Sequence, residues 1–412
     1  MGVTAIDVVR KAINLSGTLI LCYDPIEFHS PLNIMTIALV AHYLGPKMGI
    51  GVYIDRLVPP LVQQLNDRGI DVKIISSPNA FNNTPALQKL ESIVQILPAL
   101  DDSPMKRYLW MCTHFSQYCS QEKIDTEKID TVVWLSNPVI LPWHPRSIAV
   151  IHDVNEWKAK DKYGSRLKTS LRSLIYLESS IRFADKIILV SKATEADLLH
   201  FRSGSRLWEK VKTIPNGVDS PLAGLIPALI DAPTTPFLLS VGRIDPVGKR
   251  LPEAVALVKA LREQTQQPWE LHLAGGMNAT TQQAGEQFLQ SIETIPWVHY
   301  QGYMDDRELA AWYQHATAVV FLSEHEGFGS PVAEAASFDR RVIVSKNNVA
   351  TQESGGDAVI PIDPEELQSA AVKVLRELEA KEQRDRAPST SLYTYAKAAT
   401  TYTELIASMS GC

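Results

Sequence analysis

The stretch Glu326-Gly-Phe-Gly-Ser-Pro-Val-Ala-Glu334 follows a short apolar run, Ala318–Leu322, and leads into a helix-forming segment around Pro331–Ser337. Glycines at that place let the backbone pass close to a ligand and take dihedrals closed to other residues. The helix start then aims unpaired N–H groups into the space beyond the strand. An ionised carboxylate accepts hydrogen bonds from paired hydroxyls. A sugar or a ribose offers such a pair, and Glu326 before the helix and Glu334 inside it can hold two such groups in line. The plainer alternative is a Gly-Pro turn whose acids only favour the helix dipole. What surrounds the stretch decides between them.

Working outward, short apolar runs alternate with amphipathic stretches, the pattern of βαβ units and a parallel sheet. C-terminal strands are expected at Phe237–Val241, Glu270–Ala274, Val298–Gln301, Ala318–Leu322 and Arg341–Ser345. Helices fall between them at Pro252–Glu263, Thr280–Ile292 and Asp305–His315, and Asp363 is read as the N-cap of a last one. The N-terminal half alternates less cleanly. Its strand candidates are Thr18–Cys22, Gly51–Ile54, Val72–Ile75, Thr131–Leu135, Ile148–Ile151 and Lys186–Val190. Tyr163–Arg182 reads as one long helix striped by Leu167, Leu171, Leu174 and Ile181. Proline-rich segments, Pro221–Pro227 and Ala232–Pro236, separate the halves. The expectation is an α/β chain with a first doubly wound domain at 1–217, to which the resemblance named below implies an acceptor-binding role, a linker at 218–236, a second doubly wound domain at 237–387 and a C-terminal helical segment at 388–412 able to pack back on the first domain. Two such domains face each other across a central cleft, and their ligands sit at strand ends and helix starts.

Three further strings stand at such places. Ser240-Val-Gly242-Arg243-Ile-Asp-Pro-Val-Gly-Lys249 follows the first strand of the second half. Arg243 forks onto phosphate oxygens and Lys249 adds a point charge, so the pair suits a diphosphate; the alternative is two solvated loop cations. Ile151-His152-Asp153 ends a strand of the first half and aims a histidine at the cleft, as a ligand contact or proton carrier, unless the ring is only structural. Ile214-Pro-Asn-Gly-Val-Asp219 marks a turn at the boundary. No Asp-x-Asp pair offers carboxylates to a divalent metal, so the cations are expected to replace one.

Composition narrows the class. The chain has 412 residues, 45% hydrophobic and 21% charged, with a formal net charge of −6, which argues against a general nucleic-acid binder. Its four cysteines, Cys22, Cys112, Cys119 and Cys412, form neither a C-x-x-C pair nor a zinc-spaced cluster and fit a reducing cytoplasm. No signal peptide and no apolar run of membrane-spanning length is apparent. The cation-rich stretch Trp157–Arg172 either docks an anionic lipid face or a phosphorylated acceptor, or is an ordinary solvated helix face.

Together these strings, strongest over about Ser147–Leu375 and joined by Val190–Leu198, resemble glycosyltransferase family 4, a retaining family of GT-B fold with two Rossmann-like domains. The resemblance implies a retaining hexosyltransferase of polysaccharide or glycolipid synthesis, working in the cytoplasm or at the inner face of the membrane. It implies a nucleotide sugar as co-substrate, no other cofactor, no metal, a carbohydrate or glycolipid acceptor and no nucleic acid. It assigns Arg243 and Lys249 to the diphosphate, Glu326 with Gly327, Phe328, Gly329 and Ser330 to the donor sugar, Glu334 to the ribose, Gly302 and Tyr303 to the base, and His152 to a place near the donor sugar. Two departures remain. Arg243 and Lys249 stand one residue further apart than is common, and the loop Asp24–Leu32, glycine-rich in the family, has no glycine. The other readings are a non-catalytic sugar-nucleotide-binding subunit, or an epimerase or phosphorylase of the same fold.

Overall fold

A computed structural model describes residues 35–42, 49–101, 104–120, 129–136, 138–158, 166–217, 222, 225–277, 281–382 and 394–410. The Thr18–Cys22 strand candidate, the Asp24–Leu32 loop, Cys22, Cys412 and residues 159–165 of the cation-rich stretch lie outside them.

Two parallel sheets carry the chain. The first is built from β1 (Thr36–Ala41), β2 (Asp71–Ser76), β3 (Val94–Ile96), β4 (Thr131–Trp134), β5 (Arg146–Ile151), β6 (Lys186–Leu189) and β7 (Val211–Thr213), in the spatial order β3-β2-β1-β4-β5-β6-β7. The second is built from β8 (Phe237–Val241), β9 (Glu270–Ala274), β10 (Val298–Gly302), β11 (Ala318–Phe321), β12 (Val342–Ser345) and β13 (Val359–Ile362), in the order β10-β9-β8-β11-β12-β13. Strand order reverses between β1 and β4, and again between β8 and β11. Crevices for ligands open at those reversals.

The strands are continuous apolar runs because both faces are covered. In β1, Ile37, Leu39 and Ala41 enter one core while Ala38 and Val40 enter the other. In β11, Ala318 and Val320 face one side and Val319 and Phe321 the opposite side. Alternation with period two thus fills two cores from each strand.

Three expectations need correction. Gly51–Ile54 is no strand; it lies in the helix Gly49–Asn66, whose buried Tyr53, Ile54, Leu57, Val58, Leu61, Val62 and Leu65 follow helical spacing through Pro59-Pro60. The Tyr163–Arg182 region, as far as it is described, is a helix over Arg166–Ser173, a π-helical turn over Leu174–Glu178 and a helix over Ser179–Phe183. The leucines of its stripe face outward, Leu167 being 80% and Leu174 62% exposed, while Ile181 packs against the core and Tyr176, Leu177 and Ser180 are buried. Asp363 caps a turn by accepting from the Glu365 N–H, and the helix begins only at Leu367.

The last helix, Tyr395–Ser410, packs on Gly49–Asn66. Tyr395, Ala398, Ala399, Tyr402 and Ile406 join the core of the first lobe, and the hydroxyls of Tyr53 and Tyr402 are hydrogen-bonded. Among the described residues no helix is long and apolar enough to cross a membrane.

Candidate functional site

The loops after β8 and β11 meet at the reversal of the second sheet. The Lys249 ammonium is ion-paired with the Glu326 carboxylate and also stands 4.6 Å above the Phe321 ring. Arg243 contacts Asp245 at 3.2 Å, while its Nε is buried without a hydrogen-bond partner. Asp245 organises the loop by accepting from the Gly248 N–H at 3.0 Å, and Ser323 ties that loop to the end of β11 by donating to the Gly248 carbonyl. Two cations and two carboxylates, Arg243 with Asp245 and Lys249 with Glu326, therefore share the space beyond β8 and β11. A second cluster sits beside them, in which Arg250 binds Glu253, Glu324 and Glu365. These carboxylates hold the Arg250 guanidinium in place and raise its pKa further.

Gly329, at φ 86°, turns the chain into the helix Ser330–Ser337, which carries Glu334 on its inner side. The Glu334 carboxylate lies 3.6 Å from Arg56 of the first lobe and accepts from the Tyr313 hydroxyl at 3.3 Å. Burial pushes this carboxyl above the usual carboxylate range; Arg56 and Tyr313 pull it back. The Phe328 ring is buried in the core of the first lobe. Glu326 and Glu334 thus have different surroundings, a lysine on one and an arginine from across the cleft on the other.

Three glycines with positive φ, Gly242, Gly275 and Gly302, end β8, β9 and β10 side by side. A Cβ on Gly275 would lie 1.8 Å from the Gly242 carbonyl oxygen, so the backbones touch. The result is a bare main-chain shelf, with Tyr303 half-exposed at its end.

His152 follows β5 on the opposite wall. Its Nε2 donates to the Leu135 carbonyl at 2.8 Å, and Tyr53 stands edge-on to the imidazole at 4.8 Å. Burial lowers its pKa, against the opposing pull of Leu135 and Asp153, so the ring is neutral at pH 7 with Nδ1 as its acceptor. The ring is anchored by the first lobe, and its main chain meets the second: the His152 carbonyl abuts Gly327.

That contact belongs to a seam. Ser191 and Thr194, at the start of the helix Lys192–Phe201, both donate to the Gly327 carbonyl. Glu353 accepts from the Lys192 and Ala193 N–H groups at 3.1 Å each, so a carboxylate of one lobe caps a helix of the other. The structure therefore brings Arg243, Lys249, Glu326 and the glycine loop together, sets His152 beside Gly327, and places Glu334 against Arg56 and Tyr313. Sequence reasoning overlooked Arg56, Gly275, Tyr313 and Glu353. Gly275-Gly276 directly after a strand was a usable signal; the other three become visible only when distant elements meet.

Comparison with known proteins bears on the family and the fold. The model described as "Glycosyltransferase Family 4" matches residues 49–220, and the one described as "Glycosyl transferases group 1" matches residues 228–391. O-antigen chain mannosyltransferase B of Escherichia coli is 33% identical over 96 residues, which are 23% of this chain and 25% of that protein. Among solved structures, the sucrose-phosphate synthase of Thermosynechococcus elongatus superposes with TM-score 0.68 at 19% identity, covering 92% of this chain and 99% of the other. Anabaena HepE in complex with UDP and glucose gives 0.63 at 15% identity, again over 92% and 99%. At such identities the structural likeness bears on the fold.

Proposed function

The chain belongs to the family 4, group 1 glycosyltransferases of GT-B fold, and we propose that it moves a hexose from a nucleotide-diphosphate sugar to an acceptor hydroxyl, with retention and without a metal ion. The observation that carries this reading is the Lys249–Glu326 pair beside Arg243 at the reversal of the second sheet. A donor diphosphate competes with Glu326 for Lys249. Its arrival places two cations on the phosphates and frees the Glu326 carboxylate for the sugar hydroxyls. Tyr303 and the glycine shelf lie beside the base, and Glu334 takes the ribose hydroxyls.

The bond from the sugar C1 to the phosphate oxygen then breaks. Its electron pair leaves with the diphosphate, where Arg243, Lys249 and the start of the Ser330–Ser337 helix stabilise the new charge. The acceptor oxygen bonds to C1 on the same face, and the acceptor proton passes to the departing phosphate oxygen. Configuration is retained with no protein nucleophile.

The resemblance to an O-antigen mannosyltransferase favours a carbohydrate or lipid-linked carbohydrate acceptor and puts mannosyl donors first in a trial. The outward-facing Leu167, Leu171 and Leu174, in and beside the cation-rich stretch Trp157–Arg172, suit contact with an anionic membrane face, Arg172 itself being ion-paired with Glu156. Co-sedimentation with liposomes that ignores anionic lipid content would remove the membrane contact. The reaction is tested by ligand-induced melting shifts with UDP-, GDP- and ADP-sugars, followed by hydrolysis and transfer assays with the binders. Binding without turnover on any acceptor returns the chain to the class of sugar-nucleotide-binding subunits. Inversion at C1, read by proton NMR, overturns retention.

A further inference from the structure

Glu270, His272 and His299 form a separate cluster at the other end of the second sheet. Glu270 opens β9 and His272 follows two residues later on the same face, while His299 on the edge strand β10 is the direct cross-strand neighbour of His272. The imidazoles of His272 and His299 stack at 4.7 Å. Both Nε2 atoms approach one carboxylate oxygen, Glu270 Oε2, at 2.9 Å from His272 and 3.6 Å from His299. The three ligand atoms lie within 4.8 Å of one another, and this is the one such cluster among the described residues.

We propose that these three residues bind a divalent transition-metal ion of the zinc class, two imidazole nitrogens and one carboxylate oxygen leaving the remaining position to water. A tetrahedral ion with bonds of about 2.0–2.2 Å separates its ligands by roughly 3.3 Å. The two nitrogen-to-oxygen separations, 2.9 and 3.6 Å, bracket that value; closing the site also requires the stacked imidazoles to turn so that their two nitrogens, within 4.8 Å of each other, converge on the ion. Imidazole donors select zinc, cobalt or nickel over magnesium or calcium.

The surroundings prepare the ligands. His272 is buried against Phe237 at 5.0 Å and Trp312 at 4.8 Å, which fix its ring plane. Its Nδ1 lies 2.9 Å from the Gln301 amide. Metal on Nε2 leaves Nδ1 as an N–H donor, and a flipped Gln301 amide offers its oxygen to it, the kind of outer partner that orients metal-bound histidines. His299 and Glu270 are half-buried, open enough for an ion to enter. Glu270 and Ala274 bound β9, so the cluster lies about 13 Å along the strand from the glycine shelf. The ion is therefore not part of the transfer chemistry. It staples the edge strand β10, which delivers Gly302 and Tyr303, to β9.

The test uses full-length protein freed of metal with EDTA and of any histidine tag. Zn2+ is titrated by calorimetry and counted by elemental analysis; Co2+ is followed by its visible absorption. The expected result is one ion per chain, a melting temperature several degrees higher with Zn2+, and an intense tetrahedral Co2+ band. His299→Ala and Glu270→Gln are expected to weaken binding at least tenfold and abolish the melting shift, and Gln301→Ala to weaken it about tenfold. His299 is on an edge strand and half-exposed, so its variant remains measurable if replacement of buried His272 unfolds the lobe. Absence of stoichiometric Zn2+, or equal affinity in wild type and His299→Ala, overturns the site.

Discussion

The Gly327 backbone rests on the His152 carbonyl so closely that a Cβ on the glycine would lie 1.8 Å from the carbonyl oxygen. No side chain fits, and the opposing atom is main chain that cannot rotate away. Gly327→Ala therefore pushes the loop carrying Glu326 off the first lobe. A loss of about 1–3 kcal/mol in stability is expected from such overpacking, together with at least a tenfold fall in kcat/KM. Chemical denaturation and steady-state kinetics check both, and a fully active, fully stable alanine variant would refute the contact.

Arg243 has an unpartnered buried Nε, and the proposed function sets its guanidinium on the donor diphosphate. Arg243→Ala is expected to lower kcat about a hundredfold, the scale for one lost transition-state charge donor. Lys249→Ala should behave similarly but also free Glu326, so its donor affinity changes more. Near-normal turnover in Arg243→Ala would contradict its role.

Glu353 caps the helix Lys192–Phe201 from the facing lobe. Glu353→Ala should cost about 1 kcal/mol, as for other lost helix caps. Because the cap exists only while the lobes are together, KM for the donor should rise more than kcat falls. A variant with unchanged KM and melting temperature argues against a cap that matters in solution.

His42, buried at the end of β1, has its imidazole pulled down to about 3 by burial and by nearby Arg107. The unfolded chain protonates this histidine below about 6.5 while the folded one does not. Its contribution is thus full above that value and is lost as pH falls towards 3, at about 1.4 kcal/mol per pH unit. In urea melts between pH 6.5 and 4, His42→Gln should show a shallower acid limb than wild type. Parallel curves would mean that another group sets the acid sensitivity.

Five of the six strands of the second lobe were readable because each is a short apolar run closed by glycine or polar loop residues, and Arg243, Lys249 and Glu326 lie in the loops after two of them; β13, which contains Pro361, was missed. The first lobe was less so. In Gly49–Asn66 the double proline Pro59-Pro60 hides the helical spacing, and Gly51–Ile54 is apolar enough to pass for a strand. β1 carries neither charge nor turn signal within it and was missed. In Arg166–Ser173 the leucine stripe faces outward, so periodicity found a face but could not say which way it turns. Arg56, Tyr313 and Glu353 depend on contacts between elements tens to hundreds of residues apart, which local patterns do not encode.

Among the described residues, the chain enters the second lobe before β8 and is back on the first lobe at Tyr395–Ser410, a helix locked onto Gly49–Asn66 through Tyr53 and Tyr402. A body joined to another at one point can swivel; joined at two, it can only swing about the line through both. The closing helix thus acts as the second pin of a door. Any parting of Glu353 and Gly327 from their seats on the first lobe is then expected to follow one direction.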